Sequence, residues 1–186
     1  MSLLNLEEQL VFYGQYHRNK INVIIHIVCV PLIFWSSLVW AANTGPLVSY
    51  ESDSLWRTIP IEPNLGFFVI LFYIFYYILL EPFAGLIYSP LLLYMLFHAT
   101  NFSKIFPDHN TLASIVHITS WVLQFIGHGF AEKRSPALKD NIIQAVLLAP
   151  LFVWLEVLFA IGYRTVLQKR IKIGVEAAIK RYNENR

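Results

Sequence analysis

Charge is what this chain has least of. Asp, Glu, Lys and Arg make up 14% of its 186 residues, where soluble domains carry about 25%. A soluble domain with 56% hydrophobic residues has too little polar surface to cover itself, whereas lipid solvates the outside of a membrane protein. Cysteine is nearly missing: Cys29 stands alone in an apolar run, which excludes an intrachain disulfide and a thiolate metal cluster. The first residues, MSLLNLEEQLVFYGQYH, lack the basic start and long apolar core of a signal peptide, so membrane entry is expected through internal segments. Gly-rich phosphate loops, GxSxG elbows and HExxH pairs are absent. Internal repeats and low-complexity tracts are absent too. The basic residues come without an aromatic stacking platform outside the apolar segments, which argues against nucleic acid as a partner.

What is present is apolar sequence cut into lengths. Residues 3–17 predict a short amphipathic helix, with Leu3, Leu6, Leu10 and Tyr13 on one stripe. A polar break, RNKIN (18–22), precedes an apolar run of spanning length over 23–42, which holds His26 and a bending Pro31. Residues 43–65 read as a polar connection. The stretch 66–97 exceeds one ordinary span and is interrupted by Glu81-Pro82, which predicts two short helices with a turn at 80–83. Residues 98–111 read as a loop. Apolar sequence resumes over 112–130, a basic segment fills 132–141, and a third apolar stretch covers 142–163. From Arg164 the tail is basic, with Leu167, Ile171, Val175, Ala178 and Tyr182 at helical spacing, as in a helix lying on an anionic membrane surface.

The expected fold class is therefore all-α: a polytopic membrane bundle with four to six membrane-embedded helices, some re-entrant. The positive-inside rule places both 132–141 and the tail in the cytosol, but one full span between them would separate them. Either 142–163, with Pro150 and Glu156 inside it, is bent or re-entrant, or one basic segment breaks the rule.

The chemistry-bearing residues are six histidines: 17, 26, 98, 109, 117 and 128. His17 and His26 flank the RNKIN break, and a helix–turn–helix there folds one towards the other. In QFIGHGFAEKRSPA (124–137), His128 and Glu132 are four residues apart, on one helix face. Gly127 and Gly129 leave room beside His128 for another helix or a ligand. His117 and His128 share a face but lie ~16 Å apart on a straight helix, too far for one ion. Two readings stay open on spacing alone. The histidines are interfacial hydrogen-bonding residues of a non-enzymatic lipid-binding or scaffold protein, or they gather with a carboxylate around a metal. Imidazoles suit Zn, Cu, Fe and Ni, and histidines plus a carboxylate with open positions suit Fe(II) and dioxygen. A diiron desaturase needs clustered HxxxH motifs, which this chain lacks.

Two segments carry a resemblance. FYGQYHRNKINVIIHIVCVP (12–31) and WVLQFIGHGFAEKRSPALKDN (121–141) resemble the fungal endoplasmic-reticulum 2-hydroxy-fatty-acid dioxygenase family, with relatives in bacteria and plants. The second segment matches its Trp-x-x-Gln-Phe-x-Gly-His, then Glu, then Pro-Ala pattern. The resemblance runs over nearly the whole chain. It departs at Asn19-Lys20-Ile21-Asn22, where the family commonly has Asn-Pro-x-Asn, and over 98–111.

It implies an Fe2+-dependent enzyme of fatty-acid α-oxidation in phytosphingosine breakdown, multi-pass in the endoplasmic-reticulum membrane. Its substrates would be a 2-hydroxy fatty acid and dioxygen. The positions that match the family are His17, His26, His128 and Glu132, with His109 and His117 as weaker additional ligand candidates. Glu132 is expected as a carboxylate partner of the His128 ring, with direct ligation and a surface ion pair with Lys133 or Arg134 as the other possibilities. Lys133 or Arg134 would meet the substrate carboxylate at the membrane surface. A 2-hydroxy acid chelates iron through its hydroxyl and one carboxylate oxygen, so that with dioxygen about three positions remain for protein. Residues 1–163 would form the membrane-embedded catalytic domain and 164–186 a surface tail.

Overall fold

A computed structural model of the protein describes residues 4–48, 62–132 and 144–184. Among them there are helices and no strands: α1 (Leu6–Gly14), α2 (Lys20–Ala42), α3 (Leu65–Leu80), α4 (Pro82–Ile105), α5 (His109–Ile126), α6 (Ala149–Ala160) and α7 (Thr165–Glu184), with π-helical turns at Gly127–Glu132 and Gln144–Leu148. The all-α expectation holds. Two helices, α2 and α4, are long and apolar enough to cross a membrane. They become three if Val146–Ala160 and Thr165–Arg181, bent by 119° at their junction, form one broken span. The apolar α3 is shorter.

The chain divides into two compact units, Met1–Val30 with Trp121–Arg186, and Pro31–Ser120. The division falls inside α2 at Pro31 and inside α5 before Trp121.

In the first unit, Asn5 caps α1 by accepting from the Glu8 amide, and Glu7 and Glu8 complement the positive helix end. The predicted stripe is the buried face: Leu6, Leu10 and Tyr13, joined by Gln9. α7 packs on α1, with Val175 seated against Gly14 and Leu167 also buried. Part of the apolar stripe read in the tail thus covers another helix. Arg170 pairs with Glu7 at 3.0 Å, with both side chains largely exposed, so the pair adds little stability.

In the second unit, α3 and α4 form the predicted hairpin. Glu81 is extended (φ −149°, ψ 91°), and Pro82 opens α4 without losing a helical hydrogen bond. Asn64 caps α3 through the Phe67 amide and donates to Thr100 Oγ1 at 3.1 Å. The hairpin buries Tyr77, Tyr88, Leu92 and Leu96, while Phe72, Phe75, Leu79, Phe83, Leu86 and Tyr94 stay exposed. An outer surface this apolar fits lipid, not water.

Two boundaries differ from expectation. Helix α2 starts at Lys20, so Lys20, Ile21 and Asn22 belong to the helix and the break shifts to 15–19. The loop expected over 98–111 shrinks to 106–108. HATNFSKI contains no Gly or Pro, Ala99 and Thr100 are buried, and Ser103 turns its hydroxyl back onto the Thr100 carbonyl. Pro107 is the first real breaker, because it lacks an amide proton.

The hairpin depends on one close approach. A Cβ on Gly85 would lie 2.6 Å from the Tyr77 carbonyl carbon and the Ile78 amide nitrogen, and backbone cannot swing aside. Gly85→Ala should destabilise the protein by about 1–3 kcal/mol or more, read as a lowered thermal midpoint in detergent; an unchanged midpoint would show that the hairpin opens freely.

Candidate metal centre

Three histidines that are far apart in sequence meet in the first unit. His17 lies in the break after α1, His26 in α2 and His128 in the π-helical turn that follows α5. Their ring centroids are 4.4 Å (His17–His26), 5.0 Å (His17–His128) and 4.9 Å (His26–His128) apart. The rings meet edge-on, and one ligand nitrogen from each lies within 4.8 Å of the others. His26 and His128 are buried and His17 partly so. Three nitrogens so placed could hold a single metal ion.

Local structure sets the ring chemistry. His17 Nδ1 lies 3.0 Å from the Tyr13 carbonyl and His26 Nδ1 lies 2.9 Å from the Asn22 carbonyl. A carbonyl only accepts, so each Nδ1 carries the proton and each Nε2 keeps its lone pair. His17 Nε2 and His128 Nδ1 are buried without any hydrogen-bond partner. Such atoms ask for an explanation, and a bound ion is one. Burial, with His26 beside it, holds His17 well below the usual imidazole range, which keeps it neutral and able to donate its lone pair.

A seam of polar contacts brings His128 to the other two. Glu132 Oε1 accepts from the backbone amides of Arg18 and Asn19, the latter at 2.7 Å, and from Asn22 Nδ2 at 3.4 Å. Asn19 Nδ2 donates to the Ala131 carbonyl at 3.0 Å, and Asn22 Nδ2 also reaches the Tyr16 carbonyl. Gly127 completes the join: a Cβ there would sit 2.5 Å from Asn22 Oδ1. The room expected beside His128 is used at Gly127, while the same position on Gly129 faces open space.

The expected partnership between Glu132 and the His128 ring is not what the structure shows. The carboxylate is taken up by the two amides ahead of α2, makes no hydrogen bond to His128, and is not among the gathered ligand atoms. The reason is that amides ahead of a helix's first turn have no intrahelical acceptor. His109 and His117 do not join the centre either. His109 meets the Phe106 carbonyl and the Asn43 side chain. His117 meets Ser36 Oγ and lies tilted against the Trp40 ring, 4.6 Å between centroids. His98 accepts from the Trp35 indole. Lys133 and Arg134 lie outside the described residues. Sequence reasoning missed Asn19 and Asn22 as the residues that stitch the centre together; asparagine at a helix start is the signal that could have raised them.

Fold and centre define a class: a helical protein with membrane-length apolar helices and three buried histidines that could hold a metal. The chain belongs to the Mpo1-like family, described as 2-hydroxy-palmitic acid dioxygenase Mpo1-like, whose profile matches residues 3–161. It is 35% identical over 179 residues to 2-hydroxy-palmitic acid dioxygenase MPO1 of Saccharomyces cerevisiae, covering 94% of this chain and 91% of that protein. No solved structure matches it.

The seam predicts a local effect. Glu132→Ala leaves the Arg18 and Asn19 amides without their acceptor and should cost about 1–3 kcal/mol. Hydrogen exchange should speed up in the peptide covering 16–22; exchange there at the unaltered rate would mean that the carboxylate does not hold the turn.

Proposed function

We propose that the protein is an Fe2+-dependent dioxygenase that converts 2-hydroxy fatty acids to fatty acids one carbon shorter. The observation that carries this reading is the convergence of three imidazoles with two buried, partnerless nitrogens, in a chain of the Mpo1-like family. His17, His26 and His128 would hold the metal, and three protein ligands leave positions open for a bidentate hydroxy acid and dioxygen. Iron held there would supply the redox partner that couples oxidation of the hydroxy acid to reduction of dioxygen.

The reaction balances without a further reductant: RCH(OH)COOH + O2 gives RCOOH + CO2 + H2O. The carbinol carbon gives up three electrons and the carboxyl carbon one, and dioxygen takes four. This agrees with a sequence that has no dinucleotide fingerprint.

The chain's own residues do the positioning. The Tyr13 and Asn22 carbonyls fix the proton on Nδ1 of His17 and His26 and so present Nε2. Glu132 and Asn19 hold the His128 turn against the start of α2. Burial of His26 and His128 keeps bulk water from the nitrogens. Lys133 and Arg134 would attract the acid at the membrane surface.

The proposed setting is a multi-pass protein of the endoplasmic-reticulum membrane, acting in phytosphingosine degradation; the membrane-length apolar helices support a lipid environment. Residues 1–163 would be the catalytic part. The segment 164–186 would add attachment to an anionic surface through exposed Lys169, Arg170, Lys172 and Arg181, each contributing about 1 kcal/mol near such a surface.

His17→Ala, His26→Ala and His128→Ala, purified in detergent, should each lose the conversion of 2-hydroxypalmitate to pentadecanoate and most of the bound iron while remaining folded. Near-normal turnover in any one of them removes that residue from the ligand set. Full turnover by metal-free wild-type protein would end the iron reading altogether.

A further inference from the structure

Among the described residues, five buried polar atoms have no hydrogen-bond partner: Tyr13 Oη, His17 Nε2, Asn22 Oδ1, Gln124 Nε2 and His128 Nδ1. All five lie in the unit that contains the three histidines, and none in Pro31–Ser120. Two are ring nitrogens of the centre. The other three follow a pattern: Tyr13, Asn22 and Gln124 each stand four residues before one of the histidines, at 17, 26 and 128. For Asn22 and His26 that is one turn of α2, and Tyr13 is brought to His17 by ring stacking.

Asn22 is accounted for by the chain. Its Nδ2 is committed to the Tyr16 carbonyl and Glu132, which fixes the amide's orientation, and its Oδ1 is covered by Gly127. Tyr13 and Gln124 have no such account. Tyr13 is 7% exposed and Gln124 6% exposed. The phenol ring is stacked on His17, at 3.9 Å between centroids and 12° between planes, and backed by Phe152 at 4.8 Å. Gln124 sits in the last turn of α5, just before the helix widens into the π-helical turn that carries His128.

The two free atoms share one chemistry. An amide Nε2 only donates, and a phenol at neutral pH carries a proton to donate. Leaving two buried donors unmet, one stacked on His17 and one four residues before His128, is unfavourable unless a ligand meets them in the working protein. That ligand must bring oxygen acceptors. A 2-hydroxy acid has them, in its carboxylate and its 2-hydroxyl.

We infer that Tyr13 and Gln124 form the head-group subsite, donating hydrogen bonds to the oxygens of a 2-hydroxy acid seated at the three-histidine centre. The inference rests on the dioxygenase reading and adds the residues that orient its substrate. Lys133 and Arg134 then attract the acid, while Tyr13 and Gln124 hold it against the centre.

The test uses Tyr13→Phe and Gln124→Met, which keep shape and remove the donor. Binding of 2-hydroxypalmitate and of palmitate is measured on the iron-loaded, detergent-purified protein without oxygen. Wild type should prefer 2-hydroxypalmitate. Each variant should bind it about 10- to 100-fold more weakly, the loss expected for a hydrogen bond to a charged group, with bound iron unchanged. In the ligand-free protein the same variants should match or exceed the wild-type thermal midpoint, because an unmet donor has been replaced by an apolar group. A purely structural role for either residue would lower that midpoint, and that result overturns the inference. Wild-type-like affinity in both variants overturns it as well. Failure of the wild type to prefer 2-hydroxypalmitate sinks the dioxygenase reading instead.

Discussion

A chain entering a helix must find acceptors for the amides ahead of its first turn, because no preceding turn supplies them. Ahead of α2 the acceptor is one carboxylate, while Asn19 Oδ1 takes the Ile21 amide inside the helix. Glu132 Oε1 takes the Arg18 and Asn19 amides and touches Asn22, more than a hundred residues away along the chain. Its own turn carries His128. The residues it holds are flanked by His17 and lead directly into α2, which carries His26. The bond that satisfies the helix start is therefore also the bond that closes the three-histidine group.

The six histidines divide evenly between two uses. Three in the first unit turn ring nitrogens towards one another. Three in the second unit, 98, 109 and 117, meet Trp35 and Ser36 on the second half of α2 and Asn43 just past its end. The same residue type is packing polarity in one place and a candidate ligand set in the other. What separates the two, among the described residues, is whether a buried ring nitrogen is left without a protein partner. His17 Nε2 and His128 Nδ1 have none, and an imidazole buried in that state is costly unless a ligand relieves it.

The apolar character that starves the chain of charge also shows on its surface. Large aromatic and aliphatic side chains cover the outside of α3 and α4, a surface suited to acyl chains. Among the described residues, the buried side-chain polar atoms without partners all lie in the first unit.

Much of the architecture was legible because its signals are local. Apolar runs mark α2, α3 and α4, and Glu81-Pro82 marks the hairpin because proline lacks an amide proton and restricts the residue before it. Helix α1 showed itself in the spacing of Leu6, Leu10 and Tyr13. The histidines at 17, 26 and 128 were legible as candidates from their place in two motifs. The helical state of 98–105 was not, since its polar residues read as loop until Thr100 finds Asn64. Nor was the task of Glu132, whose neighbours in sequence suggested an imidazole partner or a surface ion pair. The sequence by itself determined the helices, their breaks and the residue types available for chemistry. Only the tertiary structure decided which histidines converge and which carboxylate holds them there, because hydrogen bonds between residues 18–22 and 131–132 depend on distance in space and leave no periodic mark along the chain.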